Sequence, residues 1–512
     1  MLMFKRIIFV LVLFLLCGCA VADNNMAPIP QPPANVLSVP NQYPTVQAAV
    51  NAAVAAGASA SNRYKIMISQ GSWTITAPIV MYPGIDLVGS GMYATTLTGN
   101  FHGAIITPSS DCSIQDIGVI QNNTDVGFNG WTDGAYGYTI CRLSTVAGDP
   151  INNLAIRRCY LANKNNTAIH LTSNATTGGK YTTNIPIINN MVIDGCIVSA
   201  PRFVMVEQAS NCQITNNIVT CHDSLEDDDI SGDMRTESIL SMSTHNQSDT
   251  SDFNLIVDNT FDMTYNAIYG SAPMECAFLI SGDGNKILNN SVRMQQNYGA
   301  TDTNLCAIYI SMGLTTSASL ALSTPAMDDF VLQNVVEGNY IDVGTNSTND
   351  LSGTIVQIIR LYVTRTYDSA LLFERNVVHS RWYNASPTTR IQLTVDPGGS
   401  TGICTINMRD NILLDWAGNA VTPAMDILGT GASAFVTVNS DVRTGSHALA
   451  AGSYTVADTA VDANTRINLQ TLTPGGTPGA LYVSSKTAGT GFVIESTSST
   501  DTSTVEWTET EY

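Results

Sequence analysis

The sequence predicts an all-β fold: a right-handed parallel β-helix, a solenoid, with an N-terminal capping helix and a small C-terminal β module. Three observations carry this expectation. Apolar residues come in runs of two or three with Asn and Gly between them, which fits very short strands and not a 3.6-residue helical period. One turn, with Asn or Cys at its pivot, recurs at positions 159, 196, 217, 259, 290, 339, 376 and 411. The composition agrees: 12% charged residues is about half the usual share, and 39 Gly favour many turns. With 44% hydrophobic residues the 512-residue chain can build a large core. Its 22 Lys+Arg against 42 Asp+Glu give a net charge of −20, which excludes a nucleic-acid binder because phosphate recognition needs a basic footprint.

The first segment is an address. Lys5 and Arg6 precede an unbroken apolar run, Ile7 to Leu16. That run is too short for a bilayer core, which needs about 20 residues, and fits a secretory h-region. It ends in Leu16-Cys17-Gly18-Cys19, which resembles the bacterial lipobox. The resemblance implies a signal peptide over 1–19 and lipid attachment at Cys19. It also implies a membrane contact through that anchor, at the bacterial outer membrane or cell surface. Each buried acyl CH₂ contributes about 0.8 kcal/mol, so two or more chains anchor firmly. An ordinary signal peptide cut near Ala20 or Ala22 is the other reading. Residues 20–35, with Pro28, Pro30, Pro32 and Pro33, read as an extended tether.

The body is expected over 36–440. Tyr43-Pro44-Thr45-Val46-Gln47-Ala48-Ala49-Val50 opens a helix with Val46, Val50, Ala53 and Val54 on one apolar face and Gly57 beyond its end. A ramp of short strands follows, through Lys65–Ile68, Ile85–Val88 and Thr96–Gly99. Then come the pivot repeats, such as Ile156-Arg157-Arg158-Cys159-Tyr160-Leu161 and Ile256-Val257-Asp258-Asn259-Thr260-Phe261. The intervals between pivots are 37, 21, 42, 31, 49, 37 and 35 residues. The interval of 21 is one plain coil; 42 is either two such coils or one coil with a large insertion. One coil cannot bury its apolar face alone, so neighbours must stack in parallel about 4.8 Å apart. Asn tolerates a left-handed turn, and its amide can bond the Asn of the next coil as a ladder. A β-sandwich is the structural alternative, but it would not repeat one pivot turn eight times. Nine cysteines remain after Cys19; they show no CxxC spacing, which argues against zinc and for buried thiols. From about 441 to 512 the repeat stops, and short strands between Gly, Pro, Ser and Thr suggest a separate β-rich cap or module.

The opening Thr45-Val46-Gln47-Ala48-Ala49-Val50-Asn51-Ala52-Ala53, the ramp and the repeats together resemble the pectin-lyase-like right-handed parallel β-helix family. The resemblance implies that the helix caps the open end of the coil stack and that polysaccharide is the partner. Thr497 to Trp507 resembles a C-terminal β module of phage and bacterial surface proteins. No enzyme motif of the family can be carried over. The Gly-Arg-Pro-Trp of pectin methylesterases, the Gly-His-Gly and Arg-Ile-Lys of polygalacturonases, and the Asp-Pro-His-Glu of alginate epimerases are all absent.

The densest ionisable stretch runs from His222 to Glu237. Neighbouring carboxylates repel by roughly 1 kcal/mol per pair even in water, which can raise one pKa for general-acid work. Glu226, Asp228, Arg235 and Glu237 are the catalytic candidates, with Arg235 as the partner of a uronate or the base of an elimination. A carboxylate pair about 5–9 Å apart suits glycoside hydrolysis. Asp227, Asp228 and Asp229 form the alternative, a Ca²⁺ site, since Ca²⁺ takes six to eight oxygens. A solvated acidic loop without a task is the plain reading of the same residues. Trp131, Tyr136 and Tyr138, in a Gly-rich segment, are the candidates for stacking on sugar faces, or for covering a coil edge. Six scattered histidines lack ligand spacing, and His379, beside a repeat strand, is read as structural. The expected function is a surface-anchored β-helix protein acting on polysaccharide by hydrolysis or Ca²⁺-assisted lyase chemistry. The alternative is a non-catalytic glycan-binding adhesin or stalk.

Overall fold

The computed structural model describes residues 35–123, 137–144, 150–164, 166–173, 187–206, 209–222, 238–242, 251–265, 276–282, 284–296, 306–312, 333–345, 357–363, 369–381, 392–396, 404–414, 424–427, 436–440, 442–458, 461–463 and 465–510. The chain winds as a right-handed parallel β-helix of three long sheets. The first has 13 strands, from Asn35–Val39 to Val436–Ser440; the second and third have 11 each. One coil illustrates the winding. Ser113–Gln115 lies in the first sheet, Gly118–Gln121 in the second and Ile140–Ser144 in the third; Ala155–Arg157 then returns beside Ser113–Gln115 in parallel. Three coils add a short fourth strand, Pro150–Asn152, Ile187–Asn189 and Ala209–Ser210, which pair with one another. Between Asn217 and Asn259 the chain makes a single coil, so the interval of 42 is one coil with an insertion.

The core is a stack of like residues. Ile114, Ile156, Ile193, Ile214, Ile256, Ile287, Val336 and Phe373 meet in register down the first sheet, and all are buried. Each such side chain contributes about 1.5–3 kcal/mol by leaving water. Phe261 links the interior faces, with Phe278 edge-on at 5.0 Å between centroids.

The pivot residues form one column. The Asn217 backbone N–H donates to Asn259 Oδ1 at 3.0 Å, and Asn217 Nδ2 to the same oxygen at 2.8 Å. The pattern repeats from Asn259 to Asn290, Asn290 to Asn339, Asn339 to Asn376 and Asn376 to Asn411. One expectation needs correcting: the left-handed residue is the one before the pivot. Arg158, Asn216, Asp258, Asn289, Arg375 and Asp410 have φ of 49–56°, with Gly195 and Gly338 in the equivalent places. The pivot turns inward only because its predecessor reverses the chain. A second column, five residues earlier, bounds the other end of the first-sheet strands. Asn254 N–H donates to Asn285 Oδ1 at 3.0 Å and Asn285 N–H to Asn334 Oδ1 at 2.9 Å, with Cys212 N–H donating to Asn254 Oδ1.

The six described cysteines, Cys112, Cys141, Cys159, Cys196, Cys212 and Cys221, are free and buried; Cys159 and Cys196 stand in the pivot column and Cys212 in the second. Burial pushes the Cys112 thiol up to about 11 and that of Cys212 to about 12, and those of Cys141, Cys159 and Cys221 upward as well.

The cap is helix α1, Val46–Ala55, whose N-cap Thr45 accepts from Ala48 N–H at 3.1 Å. It buries Val46, Ala49, Val50 and Ala53 against the first strands, while Val54 is partly exposed. Gln47 satisfies the free edge of the third sheet: its Oε1 accepts from Val80 N–H at 2.7 Å. Among the described residues no helix is long and apolar enough to cross a membrane.

After Val436–Ser440 the pairing becomes antiparallel. Val442–Ala448, Thr504–Thr510 and Arg466–Thr473 form one three-stranded sheet; Ser453–Ala457, Gly491–Ser496 and Leu481–Thr487 form another. Their shared core is Leu449, Val456, Val461, Phe492, Ile494, Val505 and Trp507, separate from the core of the coils.

Candidate functional site

The three corners of the coil are unequal. Between the first and second sheets the connection is always two residues, the left-handed one and the pivot, from Arg158-Cys159 to Asp410-Asn411. The long connections all adjoin the third sheet. Residues 122–139, 222–237, 266–275, 297–305, 346–356, 382–391 and 415–423 lead into it, and 174–186, 243–254 and 313–332 lead away. A rigid stack that carries its insertions along two borders of one sheet offers that sheet as its working face.

The acidic segment springs from this place. It joins Ile218–Cys221 of the second sheet to Ser238–Met242 of the third, within one coil. Both anchors are firm: Val219, Cys221, Leu240 and Met242 are buried. Glu226, Asp227, Asp228, Asp229, Arg235 and Glu237 themselves lie outside the described residues, as do Trp131, Tyr136 and Cys19. Among the described residues no group of three or more His, Cys, Asp or Glu is placed to hold a metal ion.

Tyr138, a candidate for stacking on a sugar face or for covering a coil edge, is 6% exposed. Its ring meets that of His170 edge-on at 4.6 Å, and it packs with Ala104 and Cys141. The Gly-rich segment thus ends in an aromatic residue that is used up as cover, the alternative named for it.

What Tyr138 covers is a group the sequence reading passed over. His170 sits on strand Thr167–Ser173 of the third sheet, in register with Cys141 and Met205. Its neighbours Ile169 and Leu171 point into the core, so the imidazole lies on the outer face. It is nevertheless 3% exposed, and neither ring nitrogen has a hydrogen-bond partner among the described residues. Burial, with the Arg202 charge assisting, pushes its pKa down to about 3 and holds it neutral. The same row continues through Ser241, Leu279, Tyr309, Arg360, Thr394 and Asp426 by register. The signal was present in Ala168-Ile169-His170-Leu171, where alternation already places the His on the outside of a strand.

The fold and the face can now be set beside known proteins. A sequence model of the K1 capsule-specific polysaccharide lyase C-terminal domain matches residues 433–509. That stretch covers the antiparallel module and the last strand of the first sheet. A search of curated protein sequences finds no match. Among solved structures, the Agl-KA catalytic domain is similar at 13% identity and a TM-score of 0.42, over 80% of this chain and 69% of that one. The tailspike protein gp49 of Acinetobacter baumannii bacteriophage Fri1, a capsular polysaccharide depolymerase, is similar at 8% identity and a TM-score of 0.33, over 93% and 84%. The tailspike protein of E. coli bacteriophage HK620, in complex with a pentasaccharide, is similar at 14% identity and a TM-score of 0.32, over 91% and 89%. At these identities and scores the likenesses say nothing about activity.

Proposed function

We propose that the protein is a polysaccharide depolymerase whose long coil stack presents the third sheet, with its bordering insertions, to a sugar chain. The observation that carries the reading is the match of the C-terminal module to the C-terminal domain of a K1 capsule-specific polysaccharide lyase. The distribution of insertions along one sheet supports it, because a linear polymer needs a linear face. In this reading Glu226, Asp228 and Glu237 supply acid and base, and Arg235 holds an acidic sugar or acts in elimination. Asp227, Asp228 and Asp229 would hold Ca²⁺, whose positive charge offsets the repulsion between a chain of net charge −20 and an anionic polymer. Cys19 would carry the lipid that fixes the protein to the outer membrane or cell surface.

The test is a panel of neutral and acidic polysaccharides, K1 capsular polysaccharide among them, incubated with the full chain. New reducing ends and unsaturated-sugar absorbance are read with Ca²⁺ and with chelator. Reducing ends alone mark hydrolysis, and absorbance marks elimination. Binding without cleavage of any polymer would replace the enzyme by an adhesin.

A further inference from the structure

On the outer face of the third sheet, three sulfur and nitrogen donors share one row. Cys141 on Ile140–Ser144 pairs in register with His170 on Thr167–Ser173, and His170 with Met205 on Arg202–Val206. Ile140, Ile169, Leu171, Val204 and Val206 on either side belong to the coil core, so alternation turns the three outward. They stand 29 and 35 residues apart in the chain, and only the winding brings them together.

Two of the three are buried without partners. Cys141 and His170 are each 3% exposed. Among the described residues neither nitrogen of the His170 ring has a hydrogen-bond partner, and folded chains rarely leave such atoms unpaired. The sulfurs of Cys112, Cys159, Cys196 and Cys212 each donate to a backbone carbonyl, and these four lie in the coil core with Cys221. Cys141 does neither. Among the described residues its sulfur meets no such acceptor, and it packs outside that core with Ala104 and Tyr138. The Tyr138 ring, edge-on to that of His170, closes both donors under one apolar cover. Half-buried Met205 completes the row with a thioether.

We propose that Cys141, His170 and Met205 form a buried site for one copper(I) ion. A thiolate, an imidazole and a thioether are the soft to borderline donors that this ion prefers. Two metal–ligand bonds of roughly 2 Å each bridge most of the ~4.8 Å step between neighbouring strands. An ion between Cys141 Sγ and the imidazole therefore fits the spacing the strands impose. Met205, one step beyond on a flexible side chain, reaches the same ion from the other side of the ring. Binding forms the Cu–S bond and releases the Cys141 thiol proton to solvent, and the thiolate cancels the charge of the monovalent ion. A divalent ion would leave surplus positive charge buried beside Arg202, whose own charge already acts on His170. Zinc would also need a fourth donor, and among the described residues no third His, Cys, Asp or Glu is placed to join the two here. The ion ties three successive coils together where the chain enters the third sheet from 122–139. This site goes beyond the polysaccharide reading and does not depend on it.

The full chain, reduced and stripped of metal, is titrated with copper(I) under argon against a chromophoric copper(I) chelator. Cys141→Ser, His170→Gln and Met205→Leu are titrated beside it, with Cys159→Ser as the control for thiols elsewhere. Urea midpoints of the metal-free chains establish that the variants are folded. Wild type and Cys159→Ser should hold one ion per chain equally well. Affinity should fall by about 100-fold or more in Cys141→Ser and His170→Gln, and by about tenfold in Met205→Leu. X-ray absorption at the copper edge of the loaded wild-type chain should show one nitrogen and two sulfur neighbours, a readout that needs no variant to fold. Copper(I) held equally by every variant, as adventitious binding to other thiols would give, would overturn the site. So would a wild-type chain that holds no ion against the chelator, or one whose copper has sulfur neighbours alone. The depolymerase reading stands or falls separately, on the polysaccharide panel.

Discussion

Asn259 does several things at once. Its Oδ1 accepts from the N–H and the Nδ2 of Asn217, and its own Nδ2 donates to Ile214 O, Val257 O and Asn290 Oδ1. Asn259→Ala leaves two or three buried polar groups unpaired, each costing about 1–3 kcal/mol, and should lower stability by about 3 kcal/mol. A urea midpoint that does not move, at constant m, would show the ladder to be decorative. Asp501 plays a comparable part in the C-terminal module. Hydrogen bonds from Ser496 Oγ at 2.6 Å, Ser503 N–H at 2.8 Å and Gly479 N–H at 2.9 Å hold its carboxyl well below the usual carboxylate range. Its folded pKa lies under the unfolded value of about 3.9. Its contribution is therefore complete above that value and fades as pH falls from it toward the folded pKa. Calorimetry between pH 5 and 2.5 should show the module losing stability, with a shallower dependence in Asp501→Asn; identical slopes would contradict the assignment. For the acidic segment, Glu226→Gln, Asp228→Asn and Glu237→Gln are each expected to keep the fold. At least one should lower turnover by about 10²-fold or more, as removal of a general acid or base does.

Strand and turn show why some features were legible in the sequence and others were not. The pivot column was readable because each place in it needs the same small inward group, so Asn and Cys recur. The second column was just as readable in the Asn-x-x-x-x-Asn spacing of Asn254 with Asn259, Asn285 with Asn290 and Asn334 with Asn339. The left-handed residue was hidden because its side chain faces outward and varies freely: Arg158, Asp258 and Gly338 all serve. Exposure was hidden too. Nothing local distinguishes Tyr138 as a lid from Tyr138 as a platform, and Cys141, His170 and Met205 meet only through strand register. The cap was readable in its apolar face and in Gly57 beyond its end, and it supplies a prediction of its own. Val50→Ala in helix α1 should cost about 2 kcal/mol by lost burial and a residual cavity. Val50→Lys should uncover the first strands and drive association, visible by size exclusion. A monodisperse Val50→Lys chain with wild-type stability would remove the capping role.

Over the whole molecule the division of labour follows from the two cores and the unequal corners. The coil core and the module core share no residue, and the pivot ladder runs down the corner that carries no insertion. Folding and function are thus placed on different parts of each coil: stacked apolar residues and amides fix the rod, while the borders of the third sheet are left to vary. The most direct measurement replaces residues 224–236 by a short Gly-Ser linker and records both the urea midpoint and depolymerisation of the polymer that the wild-type chain cleaves. The account predicts an unchanged midpoint with activity gone. Full activity in the shortened chain, or collapse of the rod without that segment, would contradict it.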